Sequence, residues 1–256
     1  MIKFEWSILP EHVERTRRLV ESKNDDPFVK ARRGRNLAVE KPPITRDEFW
    51  TQMVACVLTS QQKGGPNDPV PRFIRQAPNP LTLDRCETQP YLAAYAAQTF
   101  CDFGGIRFAN KPGKFLGENL SSVQGDTCQE ISDALELVRT LQTLQSERSA
   151  AKLVARELQG VGPKQARNIL QCLGLTRYVI PIDSRFAKWM AEMGAIISLE
   201  YLSNSDYYCC VEDGILTLCR EASLPPDVLF PCVLDAAMYV SSDGDTWTDA
   251  AVAGYY

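Results

Sequence analysis

The chain has 256 residues, 45% of them apolar, and a formal net charge of -4. That is enough apolar material for one large core or two modest ones, and no apolar run approaches the roughly 20 residues of a membrane span. The nine cysteines are scattered and odd in number, which suits buried thiols in a reducing compartment better than a disulfide frame. The first residues lack the apolar stretch of a secretion signal, so a cytoplasmic location is expected, on the nucleoid if the source is prokaryotic.

Periodicity predicts a mainly α protein, with helices over 11–22, 46–59, 89–99, 129–144, 147–158, 163–173, 184–193, 207–222 and 228–240. Ile2 to Ser7 is the one short strand candidate. Gly64 to Pro71 and Lys111 to Gly125 read as turn-rich connections. Charge is uneven along the chain: ten Lys and Arg residues from Arg15 to Arg46 face four acids, whereas from Glu200 onward Arg220 stands against ten. A nucleic acid would therefore be met by the basic N-terminal part, with the acidic end turned away, although a solvated face explains the basic run equally well.

In the helix predicted over 46–59, Trp50, Met53, Val54, Val57 and Leu58 share a face, and the helix runs out at Thr59, Ser60, Gln61 and Gln62. The densest chemistry lies further on, in LQGVGPKQARNILQCLGLTRYVIPIDSR, Leu158 to Arg185. Ala150, Ala151, Leu153, Val154 and Leu158 mark a helix; Gly160 and Gly162 permit a tight turn, and Pro163 suits the first position of a second helix. Unpaired N–H groups at that second helix's start can face an anion such as a phosphate diester. Lys164 falls in its first turn, where the positive helix end disfavours a protonated amine, and an unprotonated amine is a nucleophile. Asp183, nineteen positions later and after the extended Ile180-Pro181-Ile182, has the setting of an N-cap. A carboxylate there can accept a proton from the amine or stabilise a sugar carbocation by charge.

This segment resembles the signature of the HhH-GPD superfamily of DNA glycosylases, a helix-hairpin-helix of the type LxGVGxK followed by a Val/Ile-Pro-X-Asp loop. The resemblance covers the middle two-thirds of the chain and reappears near the end only in VLDAAMYV, 233 to 240. It implies two helical lobes with the hairpin at the cleft between them: one lobe of residues 47–163, the other of 1–46 with 164–256. It implies that Lys164 attacks the sugar, as in bifunctional 8-oxoguanine DNA glycosylases and endonuclease III, and that Asp183 is the family's acid. The backbone of Gly160 and Gly162 would hold a DNA phosphate, Gln61 or Gln62 would fill the gap left by the extruded nucleotide, and Arg185 would stand near backbone phosphate. Asn168, one turn past Lys164, would face the base pocket where related 8-oxoguanine enzymes commonly have cysteine; Trp189, Tyr239 and Trp247 are stacking candidates, or simply core.

The expected partner is double-stranded DNA with a damaged base, bound by a monomer, with 8-oxoguanine first and an oxidised pyrimidine or another modified base as alternatives. No cofactor is expected. His12 is the single histidine, no Cys-X-X-Cys pair occurs, and Cys209, Cys210, Cys219 and Cys232 lack the cluster-binding spacing of endonuclease III relatives. The rival reading is a noncatalytic module that grips phosphate with its hairpin; it has no need of Asp183 or of the Gln61 helix end. A monofunctional alkyl-base glycosylase is disfavoured by Lys164.

Overall fold

The computed structural model describes residues 5–59, 62, 65–242, 248 and 252. Among these the chain forms thirteen α-helices and one short 3-10 turn, and a single bridge, Leu224 to Asp227, is the only sheet-like pairing. In chain order the helices are α1 (Pro10–Ser22), α2 (Pro27–Asn36), α3 (Arg46–Leu58), α4 (Pro69–Ile74), α5 (Leu83–Glu87), α6 (Leu92–Phe103), α7 (Asn110–Ser122), α8 (Asp126–Leu141), α9 (Leu144–Glu157), α10 (Pro163–Cys172), α11 (Ser184–Ala191), α12 (Ser205–Ala222) and α13 (Pro231–Ser242).

Four of these were not expected. In α2, Asp26 accepts the Phe28 N–H and Pro27 occupies the first turn, a start signal hidden by a charge-rich helix. The short α4 and α5 are likewise framed by turn residues. In α7 the glycines that suggested a loop serve close packing instead: a Cβ at Gly113 would stand 2.7 Å from the carbonyl oxygen of Ala93 on α6, and one at Gly117 would meet the Ala93 side chain. No strand forms over residues 5–7. There Trp6 lies against Gly214 of α12, its indole donating to the Cys210 carbonyl at 3.1 Å.

One apolar core runs from Phe49 to Leu175 and takes in α3 to α10; Trp50 is fully buried within it, its indole N–H held by the Leu81 carbonyl at 2.9 Å. The second begins at Ile180 and joins α11, α12 and α13 to Trp6, Ile8, Leu19 and Val20. A third, smaller cluster packs α2 on α13 through Phe28, Val29, Cys232 and Ala236. The helices α1 and α2 thus pack with α12 and α13, and the change of apolar core falls between Leu175 and Ile180. The reason is α10, whose Ala166, Ile169 and Leu170 are buried in the first core. No helix among the described residues is long and apolar enough to cross a membrane.

Candidate active site

The hairpin begins where Leu158 leaves helical geometry (φ -107°, ψ 128°). Buried Asn119 of α7 fixes the turn by accepting the Gln159 N–H at 2.7 Å and donating to the Gln159 carbonyl at 3.0 Å. Gly160 is obligatory there. Its φ of +77° is left-handed, and a Cβ would stand 2.3 Å from the ring of Phe115. Gly162 differs: it is the extended N-cap of α10, its would-be Cβ meets only Gln165 at 3.6 Å, and no side chain caps the helix. The first N–H groups of α10 are consequently not covered by a capping side chain.

Lys164 is half-buried in that first turn. Asp183 caps α11, accepting the N–H groups of Arg185 at 2.9 Å and Phe186 at 3.4 Å, and Arg185 grips its other oxygen through Nε at 2.9 Å and a terminal nitrogen at 2.6 Å. Burial alone would raise the Asp183 carboxyl, but the Arg185 hydrogen bonds and charge, followed by the charge of Lys164, pull it below the ordinary range. The fold therefore brings Lys164 within electrostatic reach of an ionised Asp183.

The segment before Asp183 is tied down by Tyr208, a fully buried residue of α12. Its hydroxyl accepts the Ile182 N–H at 2.6 Å and donates to the Ile180 carbonyl at 3.0 Å. Over its ring, 4.0 Å from the centroid, lies the guanidinium of Arg167, which also donates to the Pro163 carbonyl at 3.0 Å and pairs with buried Glu212. Arg167 sits three residues past Lys164 and is 1% exposed, so the lysine's helix is fixed to the acid's loop by polar contacts on its hidden side. Sequence reading missed Tyr208, Arg167 and Glu212, because nothing local announces a partner 41 or 45 residues away.

The other expected site residues are spread more widely. Asn168 donates to the Cys56 Sγ at 3.1 Å and, with Gln52, Thr59, Ile74 and Cys172, lines a crevice between α3, α4 and α10. Tyr239 is partly buried, its ring stacked on Phe28 at 5.0 Å and covered by Arg185 at 4.6 Å. Trp189, 9% exposed and edge-on to Phe186, belongs to the second core. Gln61 and Trp247 lie outside the described residues. Gln62 is engaged within the protein: it donates to the Leu58 carbonyl at 2.6 Å and accepts the Arg107 N–H at 3.0 Å, tying the end of α3 to the turn before α7. Next to that contact Phe108 is 64% exposed at φ +55°, an aromatic residue that periodicity gave no reason to single out.

Much of the N-terminal basic run is used internally. Arg32 pairs with Asp235 in the interior, Arg17 donates to the Ala222 carbonyl at the end of α12, and Lys41 reaches the Asn36 carbonyl at 2.8 Å. All nine cysteines are free, and among the described residues no three His, Cys, Asp or Glu side chains gather as a metal site would require.

No protein-family model matches the sequence, and no curated protein matches it. Solved structures do. The 8-oxoguanine DNA glycosylase of Thermotoga maritima is similar with a TM-score of 0.64 at 14% identity, over 93% of this chain and 99% of that one. The 8-oxoguanine DNA glycosylase of Methanocaldococcus jannaschii gives 0.62 at 14%, over 93% and 98%. The 8-oxoguanine glycosylase/lyase of the same organism, in complex with a 15mer DNA containing 8-oxoguanine, gives 0.54 at 13%, over 94% of each chain. Over the described residues the chain is mainly helical and shares its fold with these solved structures.

Proposed function

We propose that this chain is a bifunctional DNA glycosylase that removes an oxidised base, 8-oxoguanine first, and cleaves the strand at the resulting abasic site. The observation that carries the reading is Lys164 in the first turn of the hairpin helix, with its charge reaching an Asp183 held ionised by Arg185. The solved structures of the same fold are 8-oxoguanine glycosylases, one of them a glycosylase/lyase bound to lesion-containing DNA.

The chemistry follows from those groups. The damaged nucleotide is extruded from double-stranded DNA at a cost of a few kcal/mol of unstacking, least for a weakened pair. The backbone N–H groups at Gly160 and Gly162 hold the flanking phosphate. As the bond from C1' to the base breaks, its electron pair leaves with the base, and the Asp183 carboxylate stabilises the positive charge that develops on the sugar. The departing base takes up the proton that Lys164 gives up, and the freed amine forms the new bond to C1'. Ring opening gives a Schiff base, which acidifies the C2' proton; loss of that proton expels the 3' phosphate by β-elimination. The protein works as a monomer, with no metal in these steps, and acts where the genome is.

Borohydride trapping on duplexes containing 8-oxoguanine, an abasic site or undamaged DNA tests the reading. A covalent adduct on 8-oxoguanine, absent from Lys164→Gln while that variant still binds DNA, is the expected result. Trapping on the abasic site alone would keep the lyase and discard the base. Product formation by Lys164→Gln equal to wild type would overturn the mechanism, and absence of trapping on any duplex would favour a hairpin that only grips phosphate.

A further inference from the structure

Glu147 is a fully buried acidic residue in the first turn of α9, 17 positions before Lys164. Its two oxygens accept three consecutive backbone N–H groups: Oε1 that of Arg177 at 2.8 Å, Oε2 those of Tyr178 and Val179 at 2.9 Å each. No Lys or Arg among the described residues forms an ion pair with it; Lys41 acts on it only by its charge. Burial pushes the Glu147 carboxyl up to about 7, and the three convergent N–H donors, followed by the charge of Lys41, oppose that rise.

The gripped residues lead directly into the acid. Val179, Ile180 and Ile182 are fully or almost fully buried, Pro181 has no N–H to give, and Asp183 follows four residues after Val179. Tyr208 fastens the second half of this segment; Glu147 fastens the first. The helix that carries Glu147 at its start carries the hairpin at its end, roughly 15–20 Å away at 1.5 Å per residue. One rigid helix thus spans from the anchor of the acid's loop to the turn that presents the lysine.

We infer that Glu147 is a positioning residue, the buried strut that holds the Asp183 loop at a fixed distance and register from Lys164 through its three-point grip on the backbone of residues 177 to 179. The inference rests on the function proposed above. Glutamine is the informative substitution: it keeps the shape, but its amide nitrogen turns a donor toward N–H groups that need an acceptor. Its one carbonyl oxygen can still accept, so the three-point grip is broken at one or two points, while no exposed residue is changed. Reaction geometry is sensitive to displacements of about 1 Å, which can cost on the order of a hundredfold in rate.

The test compares the full chain with Glu147→Gln in three readouts: single-turnover excision from an 8-oxoguanine duplex, the Kd for the same duplex under non-cleaving conditions, and amide hydrogen exchange. The expected result is excision slowed about tenfold or more with Kd changed less than about threefold, the split that lost transition-state positioning produces. Exchange should quicken at residues 177 to 179 and at the Arg185 and Phe186 amides capped by Asp183, and stay unchanged in α10. Excision within twofold of wild type would overturn the inference, as would rate and Kd worsening together. Should Glu147→Gln fail to fold, Glu147→Asp, which keeps the charge and withdraws it by one methylene, must show the same split. If the wild-type protein excises no base, the proposed function fails and exchange alone decides here: quickening that stops at residue 179 without reaching 185 and 186 would refute the strut.

Discussion

Asp183 is balanced between burial, which favours its neutral form, and Arg185, which holds it ionised with two side-chain hydrogen bonds. Removing Arg185 leaves the burial and takes away the largest opposing interaction. For a carboxyl held low in the folded protein, the ionised state survives until the pH falls through that low value; without Arg185 it is lost at higher pH. Arg185→Ala is therefore expected to move the acid limb of the excision-rate profile upward, with little change at alkaline pH. A profile superimposable on wild type would mean that Arg185 serves DNA phosphate and not the acid. The first-turn place of Lys164 and the N-cap place of Asp183 were legible in the sequence because each is set by neighbours within a few residues: a glycine turn before the lysine, a proline-stiffened loop before the aspartate. Glu147, Arg167 and Tyr208 were not, since each is explained only by a partner 26 or more residues away.

The two hairpin glycines look alike in sequence and do different work in the element they form. Gly160 combines a left-handed φ with the Phe115 ring pressed on its Cα, whereas Gly162 is extended and has room for a methyl group. Gly160→Ala should lower stability by roughly 2–4 kcal/mol, from the left-handed penalty and overpacking together. Adding Phe115→Ala relieves the contact but not the backbone strain, so Gly160→Ala should cost less in the Phe115→Ala background than in the wild type, though still something. Gly162→Ala should leave thermal stability nearly unchanged and weaken DNA binding, because a side chain there intrudes between α10 and a phosphate. Thermal melts and DNA titrations separate the two effects; equal melting temperatures for Gly160→Ala and wild type would contradict the packing seen at the turn. Helices with an apolar stripe or a clear cap were legible in sequence. The miss at α7 has a physical cause: Gly113 and Gly117 carry the signal of a loop, and only the approach of α6 shows them to be contact residues.

At the scale of the molecule, α10 buries its apolar face in the first core while its polar underside is bound to the second group of helices. Arg167 and Arg148 both reach Glu212 of α12, and Arg148 also reaches Asp213 at 2.8 Å and the Cys209 carbonyl at 2.9 Å. Glu212 has no side-chain exposure and Arg167 only 1%. A pair this deep contributes little net stability against an apolar replacement, yet breaking one side leaves an uncompensated buried charge. Glu212→Gln should therefore cost about 3–5 kcal/mol in urea unfolding, and replacing both partners by Arg167→Met with Glu212→Leu should recover much of that loss. The same double variant should excise more slowly than its stability implies, because Arg167 also lies over the Tyr208 ring and holds the Pro163 carbonyl at the entrance of the lysine's helix. Full stability with full activity in the double variant would mean that apolar packing alone aligns the two groups of helices. Full stability with impaired excision would locate the value of this buried network in the alignment of Lys164 with Asp183, and would explain why charge is kept in an interior where apolar side chains hold the fold equally well.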